Sequence, residues 1–262
     1  MPAASLAPAR LDRTIAAPRS SLAGALTLAY GLIAYAAFFA VICYAIGFVG
    51  NWLVPKSIDS GHVRPLLPSL LINAALLSLF VLQHTMMARP AFKRWWTRFV
   101  PKPIERSTFV LAASACLALV FWQWQPAPSI VWNASHPLAV WGLSALPLLG
   151  WGIVFLASFM VSHFDLFGLR QVWIRFRNRT YRPVGFRLVG LYKLVRHPLM
   201  LGFLIAFWAT PTMTLGHLFF SVMVTAYILF GTWIEERDLI AEHGRDYLAY
   251  RNSTRAFIPI PR

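Results

Sequence analysis

Charge is missing from five long stretches of this chain. Positions 22–49, 66–87, 108–124, 138–162 and 199–233 contain no Asp, Glu, Lys or Arg. A bilayer asks for such runs, because ~20 apolar residues of helix are needed to cross a hydrocarbon core of ~30 Å. Charged residues make up 13% of the chain, against ~25% in soluble proteins. The chain therefore reads as an all-α polytopic membrane protein. The first four runs are spans, and the first is too long for the core of a signal peptide. The fifth is too long for one crossing and short for two, since ~17 residues per arm give only ~25 Å. Pro211 and Gly216 lie near its middle, where a chain turns. The expectation is four transmembrane helices plus a C-terminal helical hairpin of two shorter helices. Positions 1–20, rich in Ala and Pro, read as a disordered cytosolic tail, and 21–262 as a single domain with a cytosolic C-terminal tail.

The basic residues fix an orientation. With the N-terminus inside and four spans alternating, the inside segments carry three, six, eight and five Lys or Arg. The outside segments carry two of the 24. This is a strong positive-inside bias, and it requires the hairpin to return to the side it left. A net charge of +15 is thereby accounted for without a nucleic-acid partner. In the longest polar link, Leu169, Val172, Trp173 and Phe176 recur at helical spacing among arginines. This predicts an interfacial helix, with a solvated positive loop as the alternative. Cys43 and Cys116 stand alone in apolar runs. No Cys/His spacing suggests a metal.

Two charged clusters flank the hairpin. Arg196-His197-Pro198 stands where a loop becomes a helix, and Pro198 suits the first helical position. Free N–H groups there, with the Arg196 guanidinium, would receive an anion, and Gly202 would let a ligand approach the backbone. The simpler alternative is an interfacial arginine beside a helix cap. At the other end, Glu235-Glu236 is unusual at a membrane boundary, where Lys or Arg is the common anchor. Adjacent carboxylates can hold ribose hydroxyls or an amine, or they can be the polar end of a helix that continues outward. The hairpin places the two clusters side by side.

Those residues carry a resemblance. R-H-P-x-x-x-G, an apolar hairpin, E-E and a downstream Tyr/Arg tail resemble the integral-membrane methyltransferases, a superfamily that includes the isoprenylcysteine carboxyl methyltransferases. HFDLFGLRQVW (163–173), LYKLVRHPLMLGFLIAFWATPTMTLGHLFF (191–220) and EERDLIAEHGRDYLAYR (235–251) together are similar to the bacterial methanethiol S-methyltransferases. A denitrification-associated membrane family is similar to these in general architecture.

The resemblance implies S-adenosylmethionine as cofactor, bound at the cytosolic end of the hairpin in a bacterial inner membrane. It also implies transfer of a methyl group to methanethiol, giving dimethyl sulfide. Arg196 would then face the cofactor carboxylate, and Glu235 and Glu236 its ammonium or ribose. His197, Pro198 and Gly202 would cradle it, while Tyr192, Tyr247 and Arg251 would wall the adenosine. The thiolate is the nucleophile. His163 and Asp165 fit a base and its orienting partner, in an apolar pocket of Phe164, Leu166 and Phe167. A lipid or prenylated-cysteine acceptor, and a non-catalytic membrane protein, are the alternatives.

Overall fold

A computed structural model describes residues 21–185 and 187–259. The segment 1–20, expected to be a disordered tail, lies outside the described residues. Among the described residues, five helices are long and apolar enough to cross a membrane. They are α1 (Ser21–Gly50), α2 (Leu66–Ala88), α4 (Lys102–Gln123), α5 (Pro137–Val161) and α9 (Leu215–His243). The short helices α3 (Pro90–Trp96), α6 (His163–Leu166), α7 (Leu169–Phe176), α8 (Pro198–Trp208) and α10 (Arg245–Ser253) join or extend them.

The hairpin differs from expectation in its proportions. Its first arm, α8, has 11 residues, and its second, α9, has 29. α9 continues past Trp233 as an unbroken helix, so Glu235 and Glu236 stand inside a helix. The physical reason is that Glu, Arg, Leu and Ala, which dominate positions 235–242, are all good helix formers, so the backbone meets no breaker before Gly244. The end of the apolar run marks a change of surroundings and leaves the backbone unchanged. The turn also contains a two-stranded antiparallel ribbon, which an all-helical reading did not include. β1 (Ile130–Asn133) pairs with β2 (Thr212–Thr214). The Thr214 hydroxyl accepts from the His217 N–H at 3.1 Å and so caps α9. The His217 ring and the Ser221 hydroxyl satisfy the Phe207 carbonyl at the end of α8.

The core lies between α1, α2, α4, α5, α8 and α9, around Phe48, Val120, Trp124, Trp151, Ala206 and Phe220. Asn73, fully buried on α2, both donates to and accepts from the Gln125 backbone at 2.8 Å. That pairing removes the cost of a polar side chain in an apolar interior. The α5–α8 contact is made at Gly150 and Gly202. A Cβ on Gly202 would lie 2.6 Å from the Gly150 carbonyl and 2.9 Å from the Val154 nitrogen. The expectation that Gly202 opens the helix to a ligand is therefore corrected, because a neighbouring helix fills that space. α7 likewise lays its apolar stripe on α1. A Cβ on Gly31 would strike Val172 at 2.4 Å, and Phe176 lies over Gly24.

Candidate active site

α5 and α8 run antiparallel, with Val154 against Gly202 and Gly150 against Ala206. At 1.5 Å per residue, Ser158 then comes level with Pro198. The end of α5 and the start of α8 share one layer, which the returning α9 joins. Two constellations stand in it.

The first gathers the charged clusters. Pro198 opens α8 with His197 before it. Each of the three Arg196 guanidinium nitrogens is engaged. Nε and Nη2 reach Glu236 Oε1 at 2.8 and 2.7 Å. Nη1 donates to the carbonyls of Arg251, at 3.1 Å, and Thr254. His197 Nε2 lies 3.0 Å from Glu236 Oε1, and Arg251 Nε 3.3 Å from Glu236 Oε2. The C-terminal segment adds backbone bonds, Arg196 N to Arg255 O at 2.9 Å and His197 N to Ala256 O at 3.0 Å. The Arg196 and Glu236 side chains are 7% and 11% exposed, whereas Glu235 is 52% exposed, with His197 Nδ1 3.6 Å away. The adjacent carboxylates thus have different surroundings. Glu236 is consumed in a buried ion pair, whereas the Glu235 side chain is half exposed, although burial by the surrounding protein still raises its pKa. A pocket of about 280 Å³ opens beside Arg196, between Arg255, Ala256, Phe257 and Ile258.

The tyrosines complete this region. The Tyr250 hydroxyl donates to the Tyr192 carbonyl. Burial pushes the Tyr247 and Tyr250 phenols up to about 12, so both remain neutral donors at any working pH. Tyr192 is raised as well, by burial and then by the Glu235 charge. The structure therefore brings Tyr192, Arg196, His197, Pro198, Glu235, Glu236, Tyr247 and Arg251 into one neighbourhood and assigns Gly202 to packing. The part taken by Thr254–Phe257 had no sequence signal, because it acts through backbone atoms.

The second constellation surrounds His163, which is 4% exposed. Phe159 stacks on its ring at 4.2 Å, and Phe167 and Phe164 close two further sides. Burial holds its pKa below the ordinary 6.5. Its Nδ1 lies 2.8 Å from Ser158 Oγ and its Nε2 2.8 Å from Tyr35 Oη. Asp165 is turned elsewhere, which corrects its expected role as orienting partner. Its carboxylate is claimed by Arg170 at 3.0 Å and by the Tyr181 hydroxyl. The reason is local: an Arg five residues on and a phenol offer it stronger donors than an imidazole already satisfied by a serine. Of the expected pocket, Phe167 stacks on Phe38 at 3.8 Å. Phe164 is half exposed, and the Leu166 carbonyl accepts from Arg106 at 2.7 Å.

Comparison with known proteins gives a consistent picture. The chain is 53% identical over 232 residues to methanethiol S-methyltransferase 2 of Bradyrhizobium diazoefficiens, covering 88% of this chain and 89% of that one. It is 48% identical over 236 residues to the methanethiol S-methyltransferase of Mycobacterium tuberculosis, covering 90% and 97%. A more distant likeness, 29% over 185 residues, links it to nurim of Mus musculus, covering 67% of this chain and 70% of that one. No family model and no solved structure matches it.

Proposed function

This chain belongs to the methanethiol S-methyltransferase family, and from that membership we propose that it methylates methanethiol to dimethyl sulfide with S-adenosylmethionine as donor. The observation that carries the site is the division of labour between neighbouring carboxylates on α9. Glu236 is locked to Arg196, and Glu235 stands half exposed beside His197.

The residues suit the cofactor. Glu235 would take its ammonium or ribose hydroxyls, and the N–H groups at the start of α8, behind His197 and Pro198, would face its carboxylate. Tyr192, Tyr247 and Arg251 would wall the adenosine. Arg196 and Glu236 would serve it by fixing this frame, since the Arg196 nitrogens already have partners. Bound S-adenosylmethionine supplies an electrophilic methyl on a positively charged sulfur. The protein's own contribution is to hold a small thiol beside it in a dry apolar setting, which favours thiolate next to positive charge. His163 is the proton acceptor in this reading. Phe159, Phe164, Leu166 and Phe167 supply the apolar surround.

In this reading the four long helices α1, α2, α4 and α5 and the α8–α9 hairpin form the 4+2 arrangement. α7 lies at the cytosolic interface of an inner membrane, with both tails inside. The test is direct. Protein purified in detergent and supplied with S-adenosylmethionine and methanethiol should release dimethyl sulfide, measured by headspace gas chromatography. Methyl transfer to a prenylated cysteine or phospholipid with no dimethyl sulfide would overturn it in favour of a lipid acceptor.

A further inference from the structure

The hydrogen bonds around His163 determine its tautomer. Ser158 Oγ donates to the Phe155 carbonyl at 2.7 Å, which uses its only proton. Toward His163 Nδ1, at 2.8 Å, Ser158 must therefore be the acceptor, and Nδ1 must carry the hydrogen. Nε2 is then the lone pair, and the group in front of it is the Tyr35 hydroxyl at 2.8 Å. Burial keeps this imidazole neutral. The remaining faces of the ring are covered by Phe159, Phe164 and Phe167. A thiol has no direct path to Nε2. It meets the histidine through a phenol.

We propose that Tyr35, on the first helix, is a catalytic residue that relays the acceptor thiol's proton to His163 Nε2, with Ser158 as the positioning residue that sets the tautomer. This rests on His163 being the proton acceptor in thiol methylation. The thiol S–H bond breaks as sulfur takes the donor's methyl. That proton goes to Tyr35 Oη while the Tyr35 proton goes to Nε2, and the donor departs as a neutral thioether. Tyr35 ends as it began, and the imidazolium returns its proton to solvent. Tyr35 suits this place by its surroundings. Its ring is half-buried beside Phe38 and Phe164, with centroids at 6.0 and 6.3 Å. This apolar border suits a thiol that is small and uncharged. The layer is also correct, because Met160, between Ser158 and His163, packs its thioether on Gly190 and accepts from the Leu191 N–H at 3.3 Å. That turn leads directly into Tyr192 and Arg196.

Two acceptors separate relay from scaffold. Methanethiol must lose a proton, whereas hydrosulfide is equally small and already largely ionised at mildly alkaline pH. Tyr35→Phe and His163→Gln should each lower kcat with methanethiol by about a hundredfold, within the usual range for acid–base groups. Each should leave hydrosulfide methylation nearly unchanged. S-adenosylhomocysteine affinity, measured by calorimetry, should stay at the wild-type value in both. Independently of turnover, ¹⁵N-histidine NMR of the cofactor-free protein should show the Nδ1–H tautomer, with the Nε2 resonance moving in Tyr35→Phe. Full methanethiol activity in Tyr35→Phe with loss in His163→Gln overturns the relay and keeps the histidine. Full activity in both removes the histidine as base and the relay with it. Equal losses with both acceptors in Tyr35→Phe make Tyr35 structural and overturn the proposal.

Discussion

Arg196 and Glu236 share a buried ion pair whose donors and acceptors are completed by His197, Arg251 and the Thr254 carbonyl. Removing one member of such a pair strands the other, at a cost of about 3–5 kcal/mol. Arg196→Ala should therefore lower the thermal unfolding midpoint in detergent, read by tryptophan fluorescence, before any question of binding arises. Glu235→Gln should leave that midpoint in place, because its side chain is half exposed. It should weaken S-adenosylhomocysteine binding about ten- to a hundredfold, the loss of one charge-assisted contact of ~1.5–3 kcal/mol. His163 adds a pH dependence. Its pKa is held below 6.5 by burial, so the unfolded chain binds that proton more readily than the folded protein does. Stability present at neutral pH is lost as pH falls through 6.5 toward the folded value, and turnover should fall along the same acid limb. His163→Gln should flatten both. The sequence made these residues visible as types and spacings, and Arg196, His197, Glu235 and Glu236 do meet. It could not tell the two carboxylates apart, since helical phase relative to Arg196 decides which one is buried. It misassigned Asp165 because nearness in the chain outweighed the donors that Arg170 and Tyr181 bring from the following link.

The crossing of α5 and α8 depends on two glycines meeting, and that gives it a sharp steric test. Gly202→Leu places carbon against the backbone of Gly150 and Val154, which cannot yield as a flexible side chain would. Overpacking of this kind costs about 1–3 kcal/mol. The measured outcome should be a lower unfolding midpoint together with reduced dimethyl sulfide release, because α8 carries His197 and Pro198 at its start. Gly31→Val acts on the other contact. It should lift α7 from α1, since Val172 fills that space, and speed trypsin cleavage at Arg175 and Arg177. Span positions were legible because charge-free length is a direct requirement of the bilayer. Two features were not. α9 runs through its own membrane exit because helix-forming charged residues give the backbone no cause to stop. The ribbon joins Thr212–Thr214 to a segment about eighty residues earlier, and so short a pairing leaves no local period to read.

Across the molecule, the basic residues predict that 61 and 129 face one side and 178 the other. In a background lacking Cys43 and Cys116, cysteines at Gly61 and Ser129 should react with a membrane-impermeant maleimide in intact cells. A cysteine at Asn178 should react only after permeabilisation. The reverse pattern would invert the topology. The bond between Arg196 and Thr254 joins positions 58 residues apart. Translation delivers the guanidinium first. Its carboxylate arrives only after the apolar part of α9, and the two closing carbonyls arrive later still. Until then α8 has only its 11 residues, and the cation at its mouth lacks its buried partner. A nascent chain that stops after α9 therefore has its five long apolar helices but lacks α10 and a finished cavity mouth. Competence for chemistry should appear only once residues 251–256 have folded onto Arg196 and His197.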